Sequence, residues 1–441
     1  MVILGGGESG VGAALLAKRM DFEVMLMDEG SLKESNRNEL TNAAIPFTEG
    51  SIDEEILLSA DEVVKSPGIP EKNEWVKKIR KKGISIIGEI ELAWRYKGES
   101  KIIAITGSNG KSTTTSLIYH ICKLAGLDAA LVGNIGYSFA RQVAEDPKEI
   151  YVAEISSFQL DDIVHFRPDI AVLLNITEDH LDRYDYKFEN YVKSKFRITI
   201  NQNSTDHFIY NTDDEVITKY LLQNPIKSNQ LPISMKQKVE QGGYIRNDEM
   251  HINVKGEQQQ MSIYDFALKG KHNQYNTMAA SVAGATMDIR KEKIREAVQT
   301  FENLENRMET VTTIRGVEFI NDSKATNVNS TWFALESMTK PVVLILGGID
   351  KGNDYSLIED LVQEKVKAIV CMGTDNSKIH EALQGKIRLV DTAGAQEAVE
   401  ASFALASPGD VVLLSPACAS FDLFKNYEDR GKQFKDAVKN L

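Results

Sequence analysis

Short apolar runs alternate with stretches of helical spacing along almost the whole 441-residue chain, and this alternation restricts the fold more than any other feature. The pattern predicts strands at residues 2–4, 23–27, 43–47, 62–65 and 84–87, with helical or polar segments between them. Apolar runs separated by helices build parallel sheets covered on both faces. A polar stretch at 96–100 interrupts the rhythm, which restarts with strands at 101–106, 150–155 and 170–175. Between about 204 and 268 only short alternating runs such as 250–254 remain, with Gly242-Gly243 as a turn, so a small antiparallel insertion is expected there. An alanine-rich helix is expected from about 276 to 287. After Leu304 the rhythm resumes with strands at 317–321, 342–346, 368–372 and 411–414. The expected fold class is therefore α/β, in three consecutive domains. At about 100–200 residues per domain, the length accommodates them.

The sharpest motif is Thr106-Gly107-Ser108-Asn109-Gly110-Lys111-Ser112-Thr113, between an apolar strand and a helix carrying Leu117, Ile118, Ile121 and Cys122 on one face. Glycines let backbone N–H groups turn toward phosphate oxygens, and the helix N-terminus adds donors and a favourable dipole. Lys111 has the reach for β- and γ-phosphates, and the Ser112 hydroxyl can face Mg²⁺. Only Ser108 and Asn109 separate Gly107 from Gly110, so the loop is shorter than the common nucleotide-binding pattern. A second glycine-rich turn, Gly5-Gly6-Gly7-Glu8-Ser9-Gly10, follows the first strand, and Asp28 closes the second. Its spacing suits a diphosphate on a helix N-terminus without selecting nicotinamide. Glu154 ends a buried strand, and His180 lies just past the next one, in Asn175-Ile176-Thr177-Glu178-Asp179-His180. Open α/β sheets place ligands at strand C-termini, and a carboxylate near a phosphate loop can hold Mg²⁺. Taken alone, His180 reads more readily as a hydrogen-bonded loop histidine.

The shortened T-G-x-N-G-K-S/T loop resembles that of the Mur ligases and their relatives, the folylpolyglutamate synthetases. The resemblance runs in order over nearly the whole chain and is weakest at 204–268. It implies an N-terminal Rossmann-like domain for a UDP-sugar substrate (1–97), a central P-loop-type ATP-binding domain (98–304) and a C-terminal Rossmann-like domain for the incoming amino acid (305–441). It also implies that Gly107, Ser108, Asn109, Gly110, Lys111, Ser112 and Thr113 hold the ATP phosphates. Asn273 and Asn276, in Lys271-His272-Asn273-Gln274-Tyr275-Asn276, would meet the adenine side, Arg307 the phosphates and Asp322 the ribose. Two Mg²⁺ ions are implied, on Ser112, Glu154, His180 and Lys195. On its own Lys195 reads as a surface lysine of Lys193-Ser194-Lys195-Phe196-Arg197. The family's matching lysine is carbamylated, which turns a cation into an anionic oxygen ligand and requires a neutral amine.

The same resemblance puts Glu8, Ser9, Gly10, Asp28, Ser66 and Asn134 on the path of UDP-N-acetylmuramoyl-L-alanine. Glu29-Gly30 stands where many members have Thr-Arg beside uracil. Three further segments look like the branch of the family that adds D-glutamate: Asp322-Ser323-Lys324-Ala325-Thr326-Asn327, Gly347-Gly348-Ile349-Asp350-Lys351-Gly352, and residues 415–431. They imply Lys324, Thr326, Lys351, Ser420, Phe421 and Tyr427 around that amino acid. The implied activity is ATP-dependent ligation of an acid to a D-amino acid through an acyl phosphate, with Lys111, Glu154, His180 and Lys195 as its catalytic set.

Composition bounds the partners. A formal charge of −13 disfavours nucleic acid and anionic membranes. No apolar run approaches the roughly 18–20 residues that span a bilayer. The N-terminus enters an apolar strand without a basic leader, and Cys122, Cys371 and Cys418 are odd in number and widely spaced. A cytoplasmic location is expected from these features. A monomer is expected, though these features do not encode the oligomeric state. Three other readings share parts of the pattern. A folylpolyglutamate-type ligase leaves the Gly5 turn and the 322–327 motif unexplained. A nicotinamide-dependent oxidoreductase follows from that turn and Asp28 alone, and nucleotide titration separates it. A non-catalytic ATP-binding regulator is opposed by the joint presence of Lys111, Glu154, His180 and Lys195.

Overall fold

The computed structural model describes residues 1–302 and 305–441, so the boundary expected after Leu304 lies outside the described residues. The chain forms two compact units, one of residues 1–267 and 274–301, the other of 268–273 and 302–441. The first unit holds two sheets. β1 (Val2–Leu4), β2 (Met25–Asp28), β3 (Phe47–Glu49), β4 (Glu62–Lys65) and β5 (Ser85–Gly88) lie in the order 3-2-1-4-5, all parallel. The second sheet has nine strands: β6 (Lys101–Thr106), β7 (Ala129–Gly133), β8 (Ile150–Glu154), β9 (Ile170–Leu173), β10 (His207–Asn211), β11 (Asn229–Ser234), β12 (Gly242–Arg246), β13 (Glu249–Val254) and β14 (Glu257–Ser262). Their order is 14-13-12-11-10-9-6-8-7.

The central strands are apolar on both faces because helices cover both. Ile102, Ile103, Ala104 and Ile105 of β6 and every residue of β8 and β9 are buried. The order reverses beside β6, so the C-terminal ends of β6, β8 and β9 are neighbours. Such a reversal opens the crevice in which α/β sheets bind ligands. The first sheet has the same device between β1 and β4.

The second unit carries β15 (Glu309–Ile314), β16 (Val317–Asn321), β17 (Val342–Leu346), β18 (Val366–Met372), β19 (Arg388–Thr392) and β20 (Val411–Leu414), ordered 15-16-20-17-18-19. β15 pairs antiparallel with β16 and the other pairs are parallel. Its reversal brings together the C-terminal ends of β16, β17 and β20.

The region 204–268 corrects the expected antiparallel insertion. β10 and β11 run parallel to β9 and extend the central sheet, with helix Glu215–Gln223 between them, and only β12 to β14 are antiparallel. Pro232 inside β11 conceals that strand, since proline ordinarily argues against one. Gly242-Gly243 is the start of β12 rather than a turn. A Cβ at Gly243 would lie 2.8 Å from Met278 Cγ, so glycine admits the helix Lys271–Thr286 onto the sheet. That helix begins five residues before its expected start. The second and third strands sit later than expected, at 25–28 and 47–49, the third because helix Glu34–Asn42 and Pro46 occupy the chain before it. β7, β15 and β19 were not expected. Of these, β15 and β19 alternate between half-buried and exposed residues at sheet edges. Among the described residues no helix is long and apolar enough to cross a membrane.

Candidate active site

The phosphate-type loop of the first unit is held from below by the chain leaving β9. Ser108 N–H donates to the Asn175 carbonyl (2.9 Å), and Asn109 N–H donates to Asn175 Oδ1 (2.8 Å). Ser108 Oγ accepts from Thr177 N–H at 2.9 Å and lies 3.1 Å from the Tyr191 hydroxyl. Gly107 and Gly110 take φ of +151° and +82°, values that L side chains rarely adopt. A Cβ at Gly110 would stand 2.4 Å from Asn276 Oδ1, which puts that carboxamide against the loop. Lys111 opens helix Lys111–Leu124 and folds back on the Gly107 and Ser108 carbonyls (2.8 and 2.9 Å). Ser112 and Thr113 are buried in the first helical turn.

Glu154 ends β8 with 1% exposure, and its Oε1 accepts from Asn134 Nδ2 at 2.8 Å. His180 adopts a left-handed conformation, φ +52°, with Nε2 3.6 Å from Asp179 Oδ2 and its ring 5.0 Å from that of Phe158. Lys195 projects from helix Phe188–Phe196 into the interior at 1% exposure, with Nζ 4.7 Å from the centre of the Tyr191 ring. Burial, with the Lys111 ammonium adding to it, pushes the Lys195 pKa well below the usual lysine range, against Asp179, Asp161 and Glu154. Lys193 is exposed.

Beside the first sheet, Ser66 Oγ donates to the Gly5 carbonyl at 3.2 Å across the β1–β4 reversal. Asp28 receives Gly6 N–H (2.6 Å) and Gly30 N–H (2.7 Å), so its carboxylate pins the glycine turn. Glu8 opens helix Glu8–Arg19, which also carries Ser9 and Gly10, and pairs with Arg141 at 2.8 Å. It also accepts from Ser138 N–H (3.3 Å), four residues beyond Asn134. Arg183 donates to the Pro67 and Gly68 carbonyls at 3.0 Å each and lies 4.3 Å over the Phe158 ring. The Ser66 loop and the His180 loop are joined through it.

In the second unit Asp322 follows β16 and is almost fully buried. Its Oδ2 accepts from Ser415 Oγ (2.9 Å) and its Oδ1 from Met308 N–H (3.2 Å). Burial raises its pKa to about 7 against the hydrogen bond from Ser415 and the nearby Arg307 charge. Asn273 Nδ2 donates to the Lys269 carbonyl. Lys324 Nζ lies 5.2 Å from the centre of the Tyr427 ring. Thr326 is half-buried, Lys351 and Phe421 are exposed, and Ser420 is buried on the loop after β20.

Comparison with known proteins decides the family. Residues 1–88 match the Mur ligase MurD-like N-terminal domain, 105–284 the Mur ligase middle domain, and 306–418 the Mur ligase glutamate ligase domain. The chain belongs to the Mur ligase family. It is 50% identical over 442 residues to the UDP-N-acetylmuramoylalanine–D-glutamate ligase of Christiangramia forsetii, covering 100% of this chain and 99% of the relative. The protein of the same name from Bacteroides fragilis is 51% identical over 448 residues, with 100% and 99% covered. Among solved structures, the UDP-N-acetylmuramate–alanine ligase of Thermotoga maritima covers 100% and 99% of the two chains, with a TM-score of 0.65 at 16% identity. A pseudomurein peptide ligase type C from Methanothermus fervidus gives 0.63 at 18%, with the same coverage. Both show the shared fold.

This Mur ligase thus has the three-domain α/β architecture of its family and is an ATP-dependent amide-bond ligase. Within its first unit the structure gathers the loop 107–113, Asn276, Glu154, Asn134 and Lys195 at the β6–β8–β9 ends, and Glu8, Ser66 and Asp28 at the other reversal. Sequence reasoning missed the supports. Asn175 locks the phosphate loop, and an asparagine two residues past a buried strand was a usable signal. Arg141 and Arg183 gave none, because each acts through distant chain segments.

Proposed function

We infer that this Mur ligase joins D-glutamate to UDP-N-acetylmuramoyl-L-alanine at the expense of ATP, in peptidoglycan precursor synthesis. The observation that carries the reading is the interior Lys195, held beside the charges of Lys111, Glu154 and Asp179. A lysine so placed favours its neutral amine, which can add to CO₂ and lose a proton to give a carbamate. Relatives at 50% identity along the full length, named for the D-glutamate ligase, support the substrate choice.

A carboxylate is a poor acyl donor until its oxygen is made a leaving group. The L-alanyl carboxylate attacks the ATP γ-phosphorus, and ADP leaves. The resulting acyl phosphate is attacked by the neutral amine of D-glutamate, and the tetrahedral intermediate expels phosphate. Lys111 and the N-terminus of helix Lys111–Leu124 stabilise the charge that develops on the transferring group. The Gly107 and Gly110 N–H groups orient the phosphates, Asn273 and Asn276 the adenine, Arg307 the phosphates and Asp322 the ribose. Ser112 and Glu154 are hard oxygen donors at the loop and the adjacent strand end, a chemistry that fits Mg²⁺. With His180 and carbamylated Lys195 they would hold two ions, which neutralise triphosphate charge when bound. Glu8, Ser9, Gly10, Asp28, Ser66 and Asn134 line the path of the UDP substrate. Lys324, Thr326, Lys351, Ser420, Phe421 and Tyr427 receive the amino acid, whose two carboxylates call for such cations and donors. Domain limits at 97/98 and 304/305, a monomeric state and a cytoplasmic location complete the proposal, the last supported by three unpaired cysteines.

The test is phosphate release from ATP with UDP-N-acetylmuramoyl-L-alanine and a panel of D- and L-amino acids. Release that depends on D-glutamate alone is expected. Equal stimulation by L-amino acids, or none by D-glutamate, would overturn the substrate assignment.

A further inference from the structure

Cys418 is the point at which three loops of the second unit are tied together. Each loop brings one part of the amino-acid site: Lys324 and Thr326 after β16, Lys351 after β17, Ser420 after β20. The Cys418 side chain is only 1% exposed. Its carbonyl accepts from Arg430 Nη1 and Nη2, both at 3.1 Å. The same guanidinium reaches Ser323, with Nε to Oγ at 3.0 Å and Nη2 to the carbonyl at 2.8 Å. One buried cation thus spans the first and third loops. Ser323 Oγ also donates to the Tyr427 carbonyl at 2.8 Å, which fixes the start of helix Tyr427–Lys439 to the first loop.

The sulfur ties in the second loop. Cys418 Sγ lies 3.3 Å from the Tyr355 hydroxyl and 3.3 Å from Asn353 Nδ2. Tyr355 donates to Asp350 Oδ2 at 3.1 Å, so the thiol is left as the donor between phenol and sulfur. Asp350 Oδ1 gathers Gly352 N–H (2.7 Å), Asn353 N–H (3.1 Å) and the Lys378 ammonium (2.8 Å), which shapes the turn that carries Lys351. Asn353 Nδ2 also donates to the Ala417 carbonyl at 3.1 Å, and Ile349 and Ala419 exchange backbone hydrogen bonds.

We propose that Tyr355, Cys418 and Arg430 are positioning residues that fix the spacing between the two carboxylate-binding groups, and so set the chain length of the acidic amino acid accepted. The proposal rests on the D-glutamate reading given above. A dicarboxylic acid is gripped at both ends, so relative movement of the Lys351 and Ser420 loops misplaces its amine as well as its side chain. Displacements of about 1 Å at a reacting centre cost on the order of 10²-fold. Discrimination against a homologue one methylene shorter or longer depends on the same spacing.

Tyr355→Phe removes a single hydroxyl and keeps the ring, and Arg430→Lys keeps the charge and loses the fork. Steady-state phosphate release is measured with D-glutamate, D-aspartate and D-2-aminoadipate, alongside thermal unfolding. The KM for D-glutamate is expected to rise about tenfold in Tyr355→Phe, while those for ATP and the UDP substrate stay within about twofold. Preference for D-glutamate over its two homologues is expected to fall by about tenfold. If all KM values move together, or the preference is unchanged, Tyr355 and Cys418 only stabilise the unit and the proposal is wrong. Where Arg430→Lys does not fold, Tyr355→Phe decides alone. Wild-type enzyme that shows no D-glutamate-dependent release counts against the substrate assignment itself, and the positioning role falls with it.

Discussion

Two lysines two residues apart have opposite environments. Lys193 faces solvent, whereas Lys195 is enclosed and held toward its neutral form. Substituting Lys195 by alanine is expected to lower D-glutamate-dependent phosphate release by at least about 10²–10³-fold. Lys193→Ala should leave it within about twofold. Equal loss in both variants would show that the enclosed position of Lys195 is not what the reaction requires. Intact-mass measurement of wild-type protein should show an added CO₂ that the Lys195 variant lacks, and activity lost in CO₂-free buffer should return with bicarbonate. Lys111→Ala is expected to be as damaging to turnover as Lys195→Ala, and near-normal release from it would remove the phosphate-loop assignment. The sequence could not separate Lys193 from Lys195 by chemistry. Only the fold of helix Phe188–Phe196 buries one and exposes the other.

Single elements carry their own constraints. The loop after β6 turns at Gly110 with φ +82° against Asn276. Gly110→Ala combines a left-handed penalty of about 1–2 kcal/mol with displacement of the Asn276 carboxamide. A rise of at least about tenfold in the KM for ATP is expected, measured beside an unchanged KM for the UDP substrate. Helix Phe139–Glu145 has its own Ser138 cap and takes a second acceptor from another element. Glu89, buried at the start of helix Glu89–Tyr96, accepts Ala140 N–H at 2.5 Å. Burial raises its pKa from 4.5 to about 7, against the hydrogen bonds from Ala140, Ser138 and Phe139, with the nearby Glu8 charge adding to the rise. The folded chain therefore holds the Glu89 proton more tightly than the unfolded chain. The stability this contributes is present below about pH 4.5 and is lost as pH rises to about 7. Glu89→Gln should gain on wild type by roughly 2–3 kcal/mol across that window in urea unfolding. A pH-independent difference would show that Glu89 titrates normally. The β/α alternation, the phosphate loop and the strand ends bearing Glu154 and Asp322 were legible because each is a local pattern. Pro232 hid β11, the two glycines of β12 imitated a turn, and the contacts of Glu89 and Arg141 arise only when distant segments pack.

At the scale of the molecule, the apolar cores follow the two compact units. The cluster that holds both Ile3 and Ile102 and the one around Val63 belong to the first unit, and those around Leu344 and Val412 to the second. Calorimetric unfolding is therefore expected in more than one step, with a calorimetric enthalpy above the van't Hoff value. A single two-state transition would show that the units unfold as one. The three sheets share one plan: a reversal of strand order opens a crevice, and the loops at its rim carry the chemistry. The largest also has to end somewhere. β14, Glu257–Ser262, closes one side of the nine-stranded sheet with Glu257, Gln258 and Gln260 exposed and Met261 buried. A strand from a second molecule arriving at that edge meets a carboxylate and amides that must shed water, with few methyl groups to cover. That loss of water opposes edge-to-edge growth of the sheet from one copy to the next.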